Sequence, residues 1–182
     1  MQKEDIFNSY GACTAIVGFD KSFDPNGFLR DYGYIDGYKT AADELVEKRV
    51  FEDLLVFPVV FCYRQYLELV LKTIFKIYSK LDFIAFLKKV GHDLQKLFDE
   101  VSPFLQSPCN LSQNEIDFIK AVLDDFCFVD PDSFSFRYPY TKRNVSTLDS
   151  KLSNNNELRI NLRAMKKNIK GINDLLAKFY VA

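Results

Sequence analysis

The sequence predicts an all-α fold: an up-and-down helical bundle with a loop-rich N-terminal arm and a short extended segment before the last helix. Three observations carry this prediction. Leu158, Leu162, Met165, Ile169, Ile172, Leu176 and Phe179 recur at alternating steps of four and three, the seam of an amphipathic helix. Ser112-Gln-Asn-Glu115 is a capping box ahead of another apolar-periodic run. Between them in importance lies Pro58 to Lys80, almost wholly apolar apart from Arg64, Glu68, Lys72, Lys76 and Lys80. A step of four advances about 40° around a helix, so those five form one slowly drifting polar stripe. A helix this apolar belongs at the centre of a bundle.

The elements follow in order. Residues 1–37 hold five of the seven glycines and the turn Asp24-Pro25-Asn26-Gly27, which predicts an arm of loops and short extended pieces. Its aromatics imply that it packs on the body. Thr40-Ala-Ala-Asp43 reads as a cap for a helix over residues 41–50. The central helix starts at Pro58, tolerated in a first turn. Residues 82–90 form a short helix closed by Gly91. Another begins at His92-Asp93 and ends at Ser102-Pro103. The capping box opens a helix over residues 112–128. Asp130-Pro131-Asp132 is a turn, and the alternation Phe134, Phe136, Tyr138 predicts an extended segment. Residues 141–156 are polar and read as mobile.

Composition narrows the class. The chain has 182 residues, 48% of them hydrophobic, which suits one domain that needs no disulfide or metal staple. A net charge of −1 gives no bulk attraction to nucleic acid, so any such role rests on local clustering. Cys13, Cys62, Cys109 and Cys127 are widely spaced, with no C-x-x-C pair. They read as reduced thiols of a cytoplasmic protein rather than zinc ligands. No secretory leader or membrane span is expected: the most apolar stretch is broken by Arg64, well short of the roughly 20 residues a span needs. Phosphate-loop, zinc-protease, nucleophile-elbow and EF-hand motifs are absent from the sequence. No metal and no cofactor is expected.

Four constellations carry candidate chemistry, each with a plainer alternative. Arg64 and Glu68 on the central helix line a polar pocket, or else lie in a solvated stripe of ion pairs. His92, the single histidine, is a candidate general acid or base, or it merely begins a helix with Asp93. Arg137, held between Phe136 and Tyr138, is an anion ligand, or it pairs with an internal carboxylate such as Glu68. Arg159, Arg163, Lys166, Lys167 and Lys170 form a basic face suited to a phosphate backbone, or a solvated helix side.

The order of these pieces adds a resemblance. Asp53-Leu-Leu-Val-Phe-Pro-Val-Val-Phe-Cys-Tyr-Arg-Gln-Tyr-Leu-Glu-Leu-Val-Leu-Lys72 precedes Gly91-His-Asp-Leu94, then Phe136-Arg-Tyr-Pro139 and a terminal amphipathic helix. Over residues 38–180 this resembles a group of uncharacterised bacterial proteins related to the HEPN superfamily. The resemblance divides the chain into an arm, 1–37, and a HEPN-like helical domain, 38–182. It implies a bundle, often a homodimer. Many HEPN proteins are metal-independent ribonucleases of toxin–antitoxin, antiphage and stress systems; others are inactive modules that bind partners. Active members carry an arginine, four to six residues, then a histidine. That spacing is absent here, because Ala85, Phe86 and Leu87 stand ahead of the only histidine, His92. Arg64, Glu68, His92 and Arg137 match recurring positions of the look-alike group. The expected roles are catalysis by His92, Glu68 and Arg137, and anion or RNA binding by Arg64, Arg137, Tyr138 and the basic face. Expected partners are a second copy of the chain, RNA or a nucleotide, or the product of a neighbouring gene.

Overall fold

The computed structural model describes residues 27–48, 52–131, 133–151 and 157–180. Among them are six α-helices: α1 (Phe28–Glu47), α2 (Glu52–Tyr78), α3 (Phe83–Val90), α4 (Leu94–Gln106), α5 (Gln113–Val129) and α6 (Leu162–Leu176). Single 3₁₀ turns occupy Asp149–Lys151 and Ala177–Phe179. The described residues contain no strand, only one isolated bridge between Tyr140 and Ser146. The fold is the all-α helical bundle that the sequence predicts.

α2 is its axis, in contact with α1, α4 and α6. Val59, Val60, Tyr63, Tyr66, Leu67, Val70, Leu71 and Ile74 are buried along it. Length and composition alone would let α2 cross a membrane, and half of that stretch is buried inside the fold. Burial of its apolar groups against α1, α4 and α6 supplies the main driving force. Gly171 allows a close approach between α6 and α5, since a Cβ there would meet the Phe118 ring at 3.1 Å.

The punctuation signals place several helix ends. Asp82 caps α3 by accepting from Ile84 and Ala85, and Gly91 closes it with φ of 55°, a left-handed value that glycine adopts without strain. Ser112 and Glu115 make both bonds of the capping box on α5.

Other boundaries differ from expectation, each for a local reason. α1 begins at Phe28, so residues 28–37 are helical rather than part of a loop-rich arm, and Thr40 and Asp43 are interior instead of capping. Gly33 and Gly37 cost the helix about 1 kcal/mol each against alanine. Tertiary contacts outweigh that: Ile35 and Ala42 are buried, Lys76 reaches Asp31 at 2.6 Å, and Tyr63 donates to Asp43 at 2.7 Å. The rest of the expected arm, residues 1–26, lies outside the described residues.

α2 starts at Glu52, which leaves Pro58 inside it near the second turn. α4 runs through Pro103 to Gln106. The Asp99 carbonyl, deprived of the N–H that Pro103 lacks, accepts the Ser102 hydroxyl at 3.3 Å instead. α6 begins four residues later than the apolar seam, because the Asn161 side chain caps it by accepting from Ala164 at 3.0 Å. Leu158 and Ile160 still pack on the core from the preceding irregular stretch.

The expected extended segment is a pair of turns. Both Arg137 and Tyr138 donate their backbone N–H to the Phe134 carbonyl, at 3.1 and 3.2 Å. Residues 140–147, of which 141–147 belong to the stretch expected to be mobile, form a small hairpin closed by Thr141 N to Val145 O at 2.9 Å. Residues 152–156 lie outside the described set.

Candidate functional site

The polar stripe on α2 drifts from core to solvent. Side-chain exposure rises from 0% at Arg64 to 4% at Glu68, 15% at Lys72 and 26% at Lys76. The rotation of about 40° per step produces this gradient. Arg64 and Glu68 are therefore buried and paired with each other rather than lining an open cavity, and the stripe becomes solvated toward Lys80.

Arg64 is the hub. Its Nε donates to the Asp130 carbonyl at 2.8 Å, its Nη1 to Glu68 Oε2 at 3.1 Å, and its Nη2 to the carbonyls of His92 at 2.6 Å and Pro131 at 3.1 Å. The Asp130 carboxylate stands 3.6 Å from Nε. One guanidinium thus ties α2 to the α3–α4 junction and to the end of α5. A cation is well placed there, since the carbonyls at a helix C-terminus carry partial negative charge. A buried charge persists only with such compensation.

Glu68 serves three partners. Oε2 faces Arg64, while Oε1 accepts from Lys72 at 2.6 Å and lies 2.8 Å from His92 Nδ1. Burial alone would raise its pKa. The Lys72 ammonium and then His92 outweigh that, so the group stays ionised below the ordinary carboxylate range. Arg64 and Lys72 balance Glu68 and Asp130, so the hub is close to neutral with His92 uncharged.

His92 closes the hub on the solvent side. Its backbone carbonyl is held by Arg64 and its ring by Glu68, yet the side chain is 61% exposed. In the neutral imidazole, a carboxylate at Nδ1 places the proton there and leaves the Nε2 lone pair open. Among the described residues nothing bonds to Nε2. Asp93, not His92, caps α4, by accepting from Lys96 at 3.1 Å.

Of the four residues that match the look-alike group, Arg64, Glu68 and His92 converge. Arg137 stands apart. Its Nε donates to the Ser133 carbonyl, and its guanidinium lies 6.0 Å from the Phe61 ring centre and 5.5 Å from that of Tyr138. It does not pair with Glu68, and it has no carboxylate partner among the described residues. The link between the two places is Asp130, buried, whose Oδ1 accepts from Phe134 and Ser135, both at 2.7 Å. Gln65 adds a bond to Ser133 at 2.8 Å. In the sequence, Asp130 reads as part of a turn. The available signal was the need of a buried arginine for more than one acidic partner.

No known family profile matches this chain, and no curated protein or solved structure does.

The basic face is less uniform than its sequence. Arg159 precedes α6 and pairs with Glu157 at 2.7 Å. Lys166 pairs with Glu47 of α1 at 2.7 Å, and Lys170 with Asp174. A cavity of about 640 Å³ between α1 and α6 is lined by Lys39, Arg163, Lys166, Lys167 and Lys170, but also by Asp43, Glu47 and Asp174. The acids of α1 interrupt a continuous phosphate track. Among the described residues Cys62, Cys109 and Cys127 are free thiols, and burial raises the pKa of each, which keeps them protonated and weakly nucleophilic.

Proposed function

We propose that this protein acts on, or docks to, RNA through a proton-transfer site made by His92 and Glu68, with Arg64 and Lys72 as positioning residues. One observation carries the reading: an exposed imidazole whose Nδ1 is fixed by a buried, ionised carboxylate. That arrangement orients a general base and supports its protonated form when it takes up a proton. RNA offers a matching proton. His92 Nε2 would accept it from a 2′-hydroxyl as that oxygen bonds to the adjacent phosphorus. The bond to the 5′-oxygen would break, and the leaving oxygen would take its proton from water. The products would be a 2′,3′-cyclic phosphate and a 5′-hydroxyl. The HEPN-like order of motifs agrees with such a substrate, though the histidine here comes from a different position than in the active members.

The test is cleavage of an unstructured, end-labelled RNA across pH 5–9. Removal of a general base lowers rate by about 10²- to 10⁴-fold, so His92→Ala should abolish most turnover while RNA binding persists. Intact RNA at every pH, with salt-sensitive binding retained, would remove the catalytic part.

A second reading draws on a different observation: most of the hub is sealed and electrically balanced. Under it the cluster is a structural tie, and the bundle is a non-catalytic interaction module that pairs with a second copy or with a neighbouring gene product. Wild type would then leave RNA intact at every pH, and Glu68→Ala would cost a few kcal/mol by leaving the buried Arg64 without its carboxylate.

A further inference from the structure

The hairpin beyond the hub combines features that the proton-transfer site does not use. It is ordered at both ends. At its base, Asp130 and Gln65 hold residues 133–135. At its neck, Thr147 donates its backbone N–H to the Pro139 carbonyl at 3.1 Å and its hydroxyl to the Tyr138 carbonyl at 2.9 Å. At its tip, the Thr141 hydroxyl accepts from Arg143 and Val145, both at 3.3 Å, around Asn144 in the left-handed region.

This small scaffold presents aromatic faces to water. Tyr138, Tyr140 and the neighbouring Phe57 of α2 are all exposed. Between Phe57 and the hairpin lies a mainly apolar cavity of about 390 Å³, lined in part by Phe136, Tyr138 and Pro139. That volume falls within the range of about 300–1,000 Å³ typical of small-ligand sites. The hairpin's own charge has one sign, and the first acid after it is the exposed Asp149. From Ser133 to Leu148 the chain carries Arg137, Lys142 and Arg143 and no Asp or Glu. The nearby Asp130 carboxylate is buried against Arg64, so it does little to offset them. Arg137 is steered by two rings and one carbonyl, and its Nη1 and Nη2 have no bond partner among the described residues.

Two exposed rings flanked by cations, on a fixed backbone, suit a polymer that offers flat bases and phosphates together. An apolar protein partner would leave the cations unexplained. An acidic protein patch would leave the rings unexplained. A duplex hides its base faces. We propose that the hairpin of residues 133–148, together with Phe57, is a binding platform for a single-stranded nucleic acid, which the reading above makes RNA. One base enters the cavity against Phe57 and Tyr138, Tyr140 stacks on a neighbouring base, and Arg137, Lys142 and Arg143 hold the intervening phosphates. This rests on the RNA-directed reading above and adds where the strand lies.

The test separates the two claims by removing cleavage from the measurement. A short 2′-O-methyl oligonucleotide carrying 2-aminopurine is titrated with the full-length protein, and base stacking is read as loss of fluorescence. Wild type should quench the probe and bind it more tightly than the matching duplex. Tyr138→Ala and Tyr140→Ala should each weaken binding by about 5- to 150-fold, while Tyr138→Phe, which keeps the ring, should bind as wild type. Lys142→Ala should lower the slope of log affinity against log salt by about 0.7. An unmodified DNA strand should bind comparably, because stacking ignores the sugar. Unchanged binding by the Tyr138→Ala/Tyr140→Ala protein, in a chain that still binds RNA, would overturn the platform and leave the His92 site standing. Preference for duplex would also overturn it. Absence of any RNA binding at low salt would end both claims.

Discussion

Arg64 shows how far one side chain can determine an interior. Its removal would leave two carboxylates, Glu68 and Asp130, buried without their shared cation. Breaking such a pair costs about 3–5 kcal/mol, so Arg64→Ala should lower the urea midpoint sharply or prevent folding. Glu68 offers a finer probe. Its folded pKa lies below the ordinary value of 4.5, held there by Lys72 and His92 against the effect of burial. The stability it contributes is therefore complete above that ordinary value and is lost as pH falls through the lower, folded one. Urea unfolding measured at pH 6 and again near pH 3 should show this loss in the wild type. In Glu68→Gln the same acid limb should be shallower, starting from a lower plateau. An acid limb identical in the two proteins would mean that Glu68 titrates alike folded and unfolded.

At the scale of elements, capping, close approach and propensity compete, and the freedom of the neighbouring side chain decides. Gly171 sits inside α6, where alanine would gain up to about 1 kcal/mol of helix propensity. Its new Cβ would meet the Phe118 ring at 3.1 Å, but Phe118 is an exposed side chain that can swing by the few tenths of an ångström required. Gly171→Ala should therefore raise the thermal midpoint, and a lowered midpoint would mean that Phe118 is pinned. Asn161→Ala should cost about 1 kcal/mol by removing the cap from Ala164. The same physics explains what the sequence could and could not reveal. Asp82, Gly91, Ser112 and Glu115 act within a few residues of their own positions, so the starts and ends they mark were legible. The first ten residues of α1 were not, because their helix depends on the burial of Ile35 and on the contact of Asp31 with Lys76, which is distant in sequence. The hub was half legible. The spacing of Arg64 and Glu68 placed them on one helix face, and Gly91-His92 announced a junction. Nothing local, however, could show that Asp130 would join them or that Arg137 would not.

Across the whole molecule, the hub couples pieces that the topology would otherwise leave loosely tied. Asp130 is the joint: one oxygen holds the backbone of Phe134 and Ser135, and the other faces Arg64. His92 lies on the opposite edge of the same cluster, with most of its ring in water. These positions predict two distinct kinds of damage. Asp130→Ala removes both the anchor of the hairpin and a buried countercharge, so it should cost several kcal/mol and also release the hairpin. Hydrogen exchange should show early loss of protection at Phe134 and Ser135, at denaturant concentrations where α2 amides still exchange only by global unfolding. His92→Ala removes only an exposed partner of Glu68, so the fold should change by about 0.5 kcal/mol or less, with hairpin protection kept. If both variants lost hairpin protection equally, the ring of His92 would be part of the tie that orders the loop. If neither did, the hairpin would be held by its own neck and tip bonds, and the hub would end at the α5 terminus.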